Sequence, residues 1–156
     1  MKASTINELK QELTTIPAPS LVELCLRLAR FKKENKELLT YLLFESHDVA
    51  GYIKGIKEEM SLQFADVNKS NVYFVKKTVR KILRTAKKYI RYSGSTTVEI
   101  ELLVYFCESM KELNVPIDKN PVLSNIYQNQ IKNINKALQG LHEDLQYDYL
   151  KAVNKL

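Results

Sequence analysis

The stretch Val72 to Tyr92 constrains this chain more than any other part of it. At helical period Val72, Val75, Val79, Ile82, Leu83, Ala86 and Ile90 fall on one stripe, while Lys76, Lys77, Arg80, Lys81, Arg84, Lys87, Lys88 and Arg91 fall largely on the other. No Asp or Glu occurs between Asp66 and Glu99, so nothing nearby in sequence neutralises those eight cations. Elsewhere the chain holds 16 basic against 18 acidic residues, so the net charge of +6 belongs to this one segment. A helix of this kind needs an apolar body to dock against, and its charged face must meet water, carboxylates of the same chain, or a partner.

The remaining composition describes that body. A chain of 156 residues with 45% hydrophobic and 27% charged residues is expected to fold as one domain spanning 1–156. Four glycines and four prolines are too few for a turn-rich β fold. The expectation is an all-α fold of five to six helices packed as antiparallel hairpins, either an elongated helical bundle or a short stack of helical pairs. The Leu21 to Glu45 pair resembles in style the leucine-rich hairpins of HEAT-type repeats, although no period recurs later in the chain. Cys25 and Cys107 lie in apolar runs and are expected to be free, buried thiols, which suits a cytoplasmic location. No run approaches the roughly 18 apolar residues of a membrane span, so neither insertion nor secretion is expected.

Local signals set the boundaries. Thr5 and Glu8 have capping-box spacing, and Ile16-Pro17-Ala18-Pro19 ends the first helix in a rigid elbow. Ser20 with Glu23 suggests a second box, opening a helix from Leu21 to Phe31 that is apolar nearly all round and therefore belongs at the centre of the core. Asn35 is a candidate cap for a helix that continues, with a break or kink near Ser46-His47-Asp48, to about Phe64. Ser93-Gly94 closes the basic helix. Thr96 and Glu99 suggest a third box. Residues 98–106 alternate as a strand would, but no partner strand exists and helical spacing persists to Leu113, so helix is expected. Asn120-Pro121 opens a final helix on which Tyr127, Ile131, Ile134, Leu138, Leu141 and Leu145 form a heptad-like seam. Continued to Asn154 it would be roughly 50 Å long, too long for a compact domain unless it breaks near Gly140.

Catalytic patterns are lacking. Ser46-His47-Asp48 contains triad residue types, but neighbours on a helix diverge by about 100° and cannot line up. His142-Glu143 begins like a zincin motif, yet Gln146 stands where the second ligand belongs. Gly51 and Gly55 form no phosphate loop, and their spacing suits close helix packing instead. No enzyme activity, metal or cofactor is expected.

The sequence thus suggests a non-enzymatic interaction or scaffolding module that binds a protein partner, with the basic face from Lys76 to Arg91, suited to a polyanion or an acidic partner, and the long C-terminal helix as its contact surfaces. The second reading is a nucleic-acid-binding protein, in which Lys76, Lys77, Arg80, Lys81, Arg84, Lys87, Lys88 and Arg91 track phosphates while Tyr73, Tyr89 and Tyr92 stack on bases. The bland alternative pairs those cations with Glu58, Glu59, Glu99, Glu101 or Glu108. The C-terminal helix 121–154 is expected either to pack internally or to mediate homo-oligomerisation, with Gln128, Gln130, Gln139 and Gln146 on its flanks.

Overall fold

The computed structural model describes residues 2–156, and among these there are helices and turns but no strand. Eight α-helices occur where five to six are expected: α1 (Ile6–Thr15), α2 (Ala18–Phe31), α3 (Lys33–Thr40), α4 (Val49–Ala65), α5 (Val72–Ser93), α6 (Thr96–Glu112), α7 (Pro121–Leu138) and α8 (Glu143–Val153), with a π-helical turn at Tyr41–Glu45. The higher count comes from two breaks. The helix after α2 widens into the π turn and stops before Asp48, whose carboxylate caps α4 by accepting from the Gly51 amide at 2.9 Å. The C-terminal helix ends at Leu138. Gln146 donates to the Leu141 carbonyl at 2.8 Å, and His142 caps the new helix α8.

Most caps follow the local sequence. Thr5 and Glu8 make both halves of a capping box, Asn71 and Asn120 cap α5 and α7, and Gly94 closes α5 with φ of 59°. Others depart from expectation by a residue or more. Helix α2 starts at Ala18 with no side-chain cap, because Pro19 is compatible with the first turn and removes an amide that would otherwise need a partner. Ser95, rather than Thr96, caps α6. Asn35 caps nothing; its side-chain amide donates to the Leu28 carbonyl at 2.8 Å, satisfying the end of α2 instead. An added Cβ at Gly51 would meet only the end of the Asp48 side chain, and Gly55 faces open space, so neither serves close helix packing.

The chain divides into two compact units, Met1–Phe44 and Glu45–Leu156. In the larger unit α6 is central, packed on by α4, α5 and α7, while α8 lies against α7. Its nine buried residues, from Val98 to Met110, span roughly 240° of its circumference. A helix buried on several sides shows no single apolar face, which accounts for the strand-like alternation of its sequence. Phe106, fully buried, meets Phe64 of α4 with ring centroids 5.7 Å apart. Of the heptad-like seam, Tyr127, Ile134 and Leu138 are buried here, Ile131 and Leu141 are half-buried and Leu145 is exposed; Gln130, expected on a flank, is buried too and bonded to Ile126 and Asn133.

The smaller unit packs α2 against α3. Contrary to the expectation that α2 occupies the centre of a core, none of its residues is buried, and Tyr41 is the one buried residue among the described residues 2–44. Cys25, on α2, is exposed, so only Cys107 is a buried thiol; burial pushes its pKa up to about 12.

Candidate interaction surfaces

Two surfaces stand out, a cationic stripe on α5 and an apolar face on the helices of residues 6–44. Helix α5 buries Val75, Val79, Ile82 and Ala86. At about 100° per residue these four lie within roughly 60° of arc, and the eight Lys and Arg side chains fill an arc of roughly 140° on the opposite side. The stripe from Lys76 to Arg91 is about 22 Å long at 1.5 Å per residue.

The predicted cationic residues are brought together on one face and are largely unpaired. Among the described residues no carboxylate oxygen lies within 4.0 Å of Lys76, Lys77, Arg80, Lys81, Arg84, Lys87 or Arg91. Three of the five acids that might have matched them are engaged elsewhere. Glu58 pairs with Lys54 at 4.0 Å, and Glu59 accepts from the Tyr89 hydroxyl at 2.8 Å and from Gln63 at 2.9 Å. Glu101 accepts from Lys57 at 2.6 Å and from the Tyr149 hydroxyl, whose pKa burial, and then the Glu101 charge, raise to about 12. The eighth cation, Lys88, sits over the rings of Tyr89 and Tyr92 at 5.1 and 5.9 Å.

Such a face has an energetic cost. Five like-charge pairs at a spacing of four residues each cost a few tenths of a kcal/mol, about 1 to 2 kcal/mol together. Burial of Val75, Val79 and Ile82 contributes on the order of 5 kcal/mol before entropy is deducted, so the helix holds with its charges unmatched.

The three tyrosines separate. Tyr89 is structural: its hydroxyl holds Glu59, and its carbonyl accepts from the Tyr52 hydroxyl at 3.1 Å. Tyr92 is half-buried beside it, with centroids 6.3 Å apart. Tyr73 is 61% exposed, and helical phase puts it in the middle of the cationic arc, at the N-terminal end of the stripe. Its ring meets the exposed Phe74 edge-on at 5.6 Å. The sequence reading gave Phe74 no part; its position directly after Tyr73, off the buried stripe, was the signal for it.

The second surface has no counterpart among the sequence expectations. Twelve large apolar side chains between Ile6 and Phe44 are at least 36% exposed, among them Ile6 (82%), Phe31 (76%) and Phe44 (67%). An apolar groove of about 580 Å³ runs between α1 and α2, lined by Ile6, Leu9, Leu13, Ile16 and Leu21 with Lys10 and Thr14. A second, of about 270 Å³, lies between α2 and α3 around Cys25, Leu28, Leu38 and Leu42. The available signal was the breadth of the apolar arc on α2, roughly 220°, which is more than a single neighbouring helix covers.

His47 lies in the turn before α4 and His142 caps α8, so the two histidines serve different elements. No helix among the described residues is long and apolar enough to cross a membrane. Compared with protein-family models, with curated proteins and with solved structures, the chain matches none.

Proposed function

We propose that this protein is a non-enzymatic interaction module, a scaffold of helical hairpins working in the cytoplasm, that binds a protein partner through the apolar helices of residues 6–44. One observation carries the reading: α2 is apolar over most of its circumference, yet none of its residues is buried. Monomers rarely leave a contiguous apolar patch larger than about 600 Å² in water, because apolar surface that stays wet gives up the stabilisation burial would supply. Hydrogen exchange on the full chain tests it. Amides of α2 are expected to exchange orders of magnitude faster than those of α6 in dilute solution, and to become protected when a partner binds. Amides of α2 as protected as those of α6 in the dilute, monomeric chain would mean that the face is covered from within, ending the reading.

A second reading is favoured by its own observation, the seven unpaired cations on α5 with Tyr73 at their end. That surface suits single-stranded nucleic acid, whose phosphates the cations follow while a base stacks on the exposed ring. Four to seven phosphate contacts predict a slope of about −3 to −5 in log affinity against log salt. Fluorescence anisotropy with a labelled oligonucleotide should show binding at about 50 mM salt, where electrostatic contacts are strong, and loss of binding in a Lys77→Glu/Arg80→Glu/Arg84→Glu variant. No binding by the unaltered chain at that salt removes this reading.

A further inference from the structure

We infer that α5 takes a single-stranded nucleic acid lengthwise, over about five or six nucleotides, on a central row of planar side chains formed by Tyr73, Arg80, Arg84 and Arg91; the inference rests on the nucleic-acid reading above. Helical phase sorts the eight cations. At about 100° per residue the three arginines fall within roughly 40° of arc, on the side of α5 away from the buried Val75, Val79, Ile82 and Ala86, and Tyr73 lies on the same line. The lysines stand about 40 to 80° off it, Lys76 and Lys87 to one side and Lys77, Lys81 and Lys88 to the other. Arg80, Arg84 and Arg91 are all exposed.

Charge alone does not call for that order. Long-range attraction to a polyanion depends on the number and sign of the charges, so lysine and arginine would serve equally anywhere on the face. They differ at contact distance. A guanidinium is flat, makes paired hydrogen bonds to a phosphate and stacks on aromatic faces, whereas an ammonium is a hydrated point charge on a flexible stem. The middle of the face thus carries groups that fix a strand in direction, and the flanks carry groups that hold its backbone loosely. Tyr73 extends the row with a ring that is 61% exposed and in edge contact with Phe74, which steadies it.

The length of the row sets the size of the site. From Tyr73 to Arg91 it runs about 27 Å at 1.5 Å per residue. A strand advances about 3.4 Å per nucleotide when helically stacked and roughly twice that when its bases are splayed apart. Bases that stack on protein are splayed, so the row spans about four to five nucleotide steps. A strand crossing α5 would leave most of the row unused. A duplex keeps its base faces stacked inside, so the Tyr73 ring and the guanidinium planes would find nothing to stack on.

Fluorescence anisotropy on the full chain, with labelled oligothymidylates of about two to twelve nucleotides at about 50 mM salt, tests the assignment. Affinity should rise at least tenfold up to about six nucleotides and less than threefold beyond. A charge-conserving Arg80→Lys/Arg84→Lys/Arg91→Lys variant and Tyr73→Ala should each weaken binding at least fivefold, whereas Lys77→Arg/Lys81→Arg/Lys87→Arg should not weaken it. All these positions are exposed, so helix content by circular dichroism should stay unchanged. Affinity that keeps climbing past about six nucleotides, or indifference to the arginine-to-lysine change, overturns the inference and leaves the nucleic-acid reading standing. A duplex of about twelve base pairs, or poly-glutamate of similar charge, that binds as tightly as the single strand also overturns it, because charge alone would then suffice. If no oligonucleotide binds at that salt, the inference and the reading beneath it fall together.

Discussion

Replacing Arg84 by glutamate should make the protein more stable while weakening any hold on a polyanion. Arg84 is exposed, and its like-charged neighbours at a spacing of four are Arg80 and Lys88. With no carboxylate of the described residues within 4.0 Å, the substitution breaks no ion pair among them. It removes two repulsions of about 0.3 kcal/mol and installs two attractions of similar size, a gain of about 1 kcal/mol. Lys81 and Lys87, at a spacing of three, push the same way. For the unit Glu45–Leu156 this corresponds to a rise in Tm of about 4 °C. Thermal unfolding followed by circular dichroism measures it directly, and Arg84→Gln should show about half the effect. Salt provides the internal control. The screening length shrinks from about 30 Å at 0.01 M to about 3 Å at 1 M, so most of the gain should vanish at the higher concentration. A loss of stability, or a gain indifferent to salt, would mean that a carboxylate does meet Arg84 in solution, and the open cationic face would be refuted with it.

Other consequences are quicker to state. Phe106→Ala empties a fully buried ring site against Phe64 and should cost about 3 to 5 kcal/mol in urea unfolding; a loss under 1 kcal/mol would contradict the central place given to α6. Gly94→Ala forces a side chain into a left-handed backbone with φ of 59° and should cost about 1 kcal/mol, whereas an unchanged urea midpoint would show that the turn between α5 and α6 relaxes freely. Thiol titration at pH 8 should modify one cysteine per native chain, Cys25, and two after denaturation. Because burial raises the Cys107 pKa from 9.0 to about 12, the folded state keeps a proton that the unfolded state gives up. Its contribution to stability is therefore complete below pH 9 and lost as pH rises towards about 12; rapid modification of both thiols in the native chain would refute its burial.

What the sequence settled by itself were features whose determinants lie within a turn or two of each other. The phase of α5, its asparagine and glycine ends, the Thr5–Glu8 box and the Asn120-Pro121 opening were all legible, because a cap or an amphipathic stripe is made by residues three or four apart. Even the two breaks left a trace, at Ser46-His47-Asp48 and at Gly140, though not enough to raise the expected helix count to eight.

Questions of partnership were decided only by the tertiary structure. Glu59 and Glu101 were plausible mates for the cations of α5 until Tyr89, Lys57 and Tyr149 were found to hold them. The seam of α7 had the periodicity of a coiled coil, and its buried positions proved to be filled within the same unit, in which α7 packs against α6. Helix α2, the most apolar of the early segments, has the composition of a central helix and yet buries none of its residues. The physical reason is shared: apolar surface and charge announce that something must cover or neutralise them, while its identity depends on residues far away in the chain, or on another chain altogether.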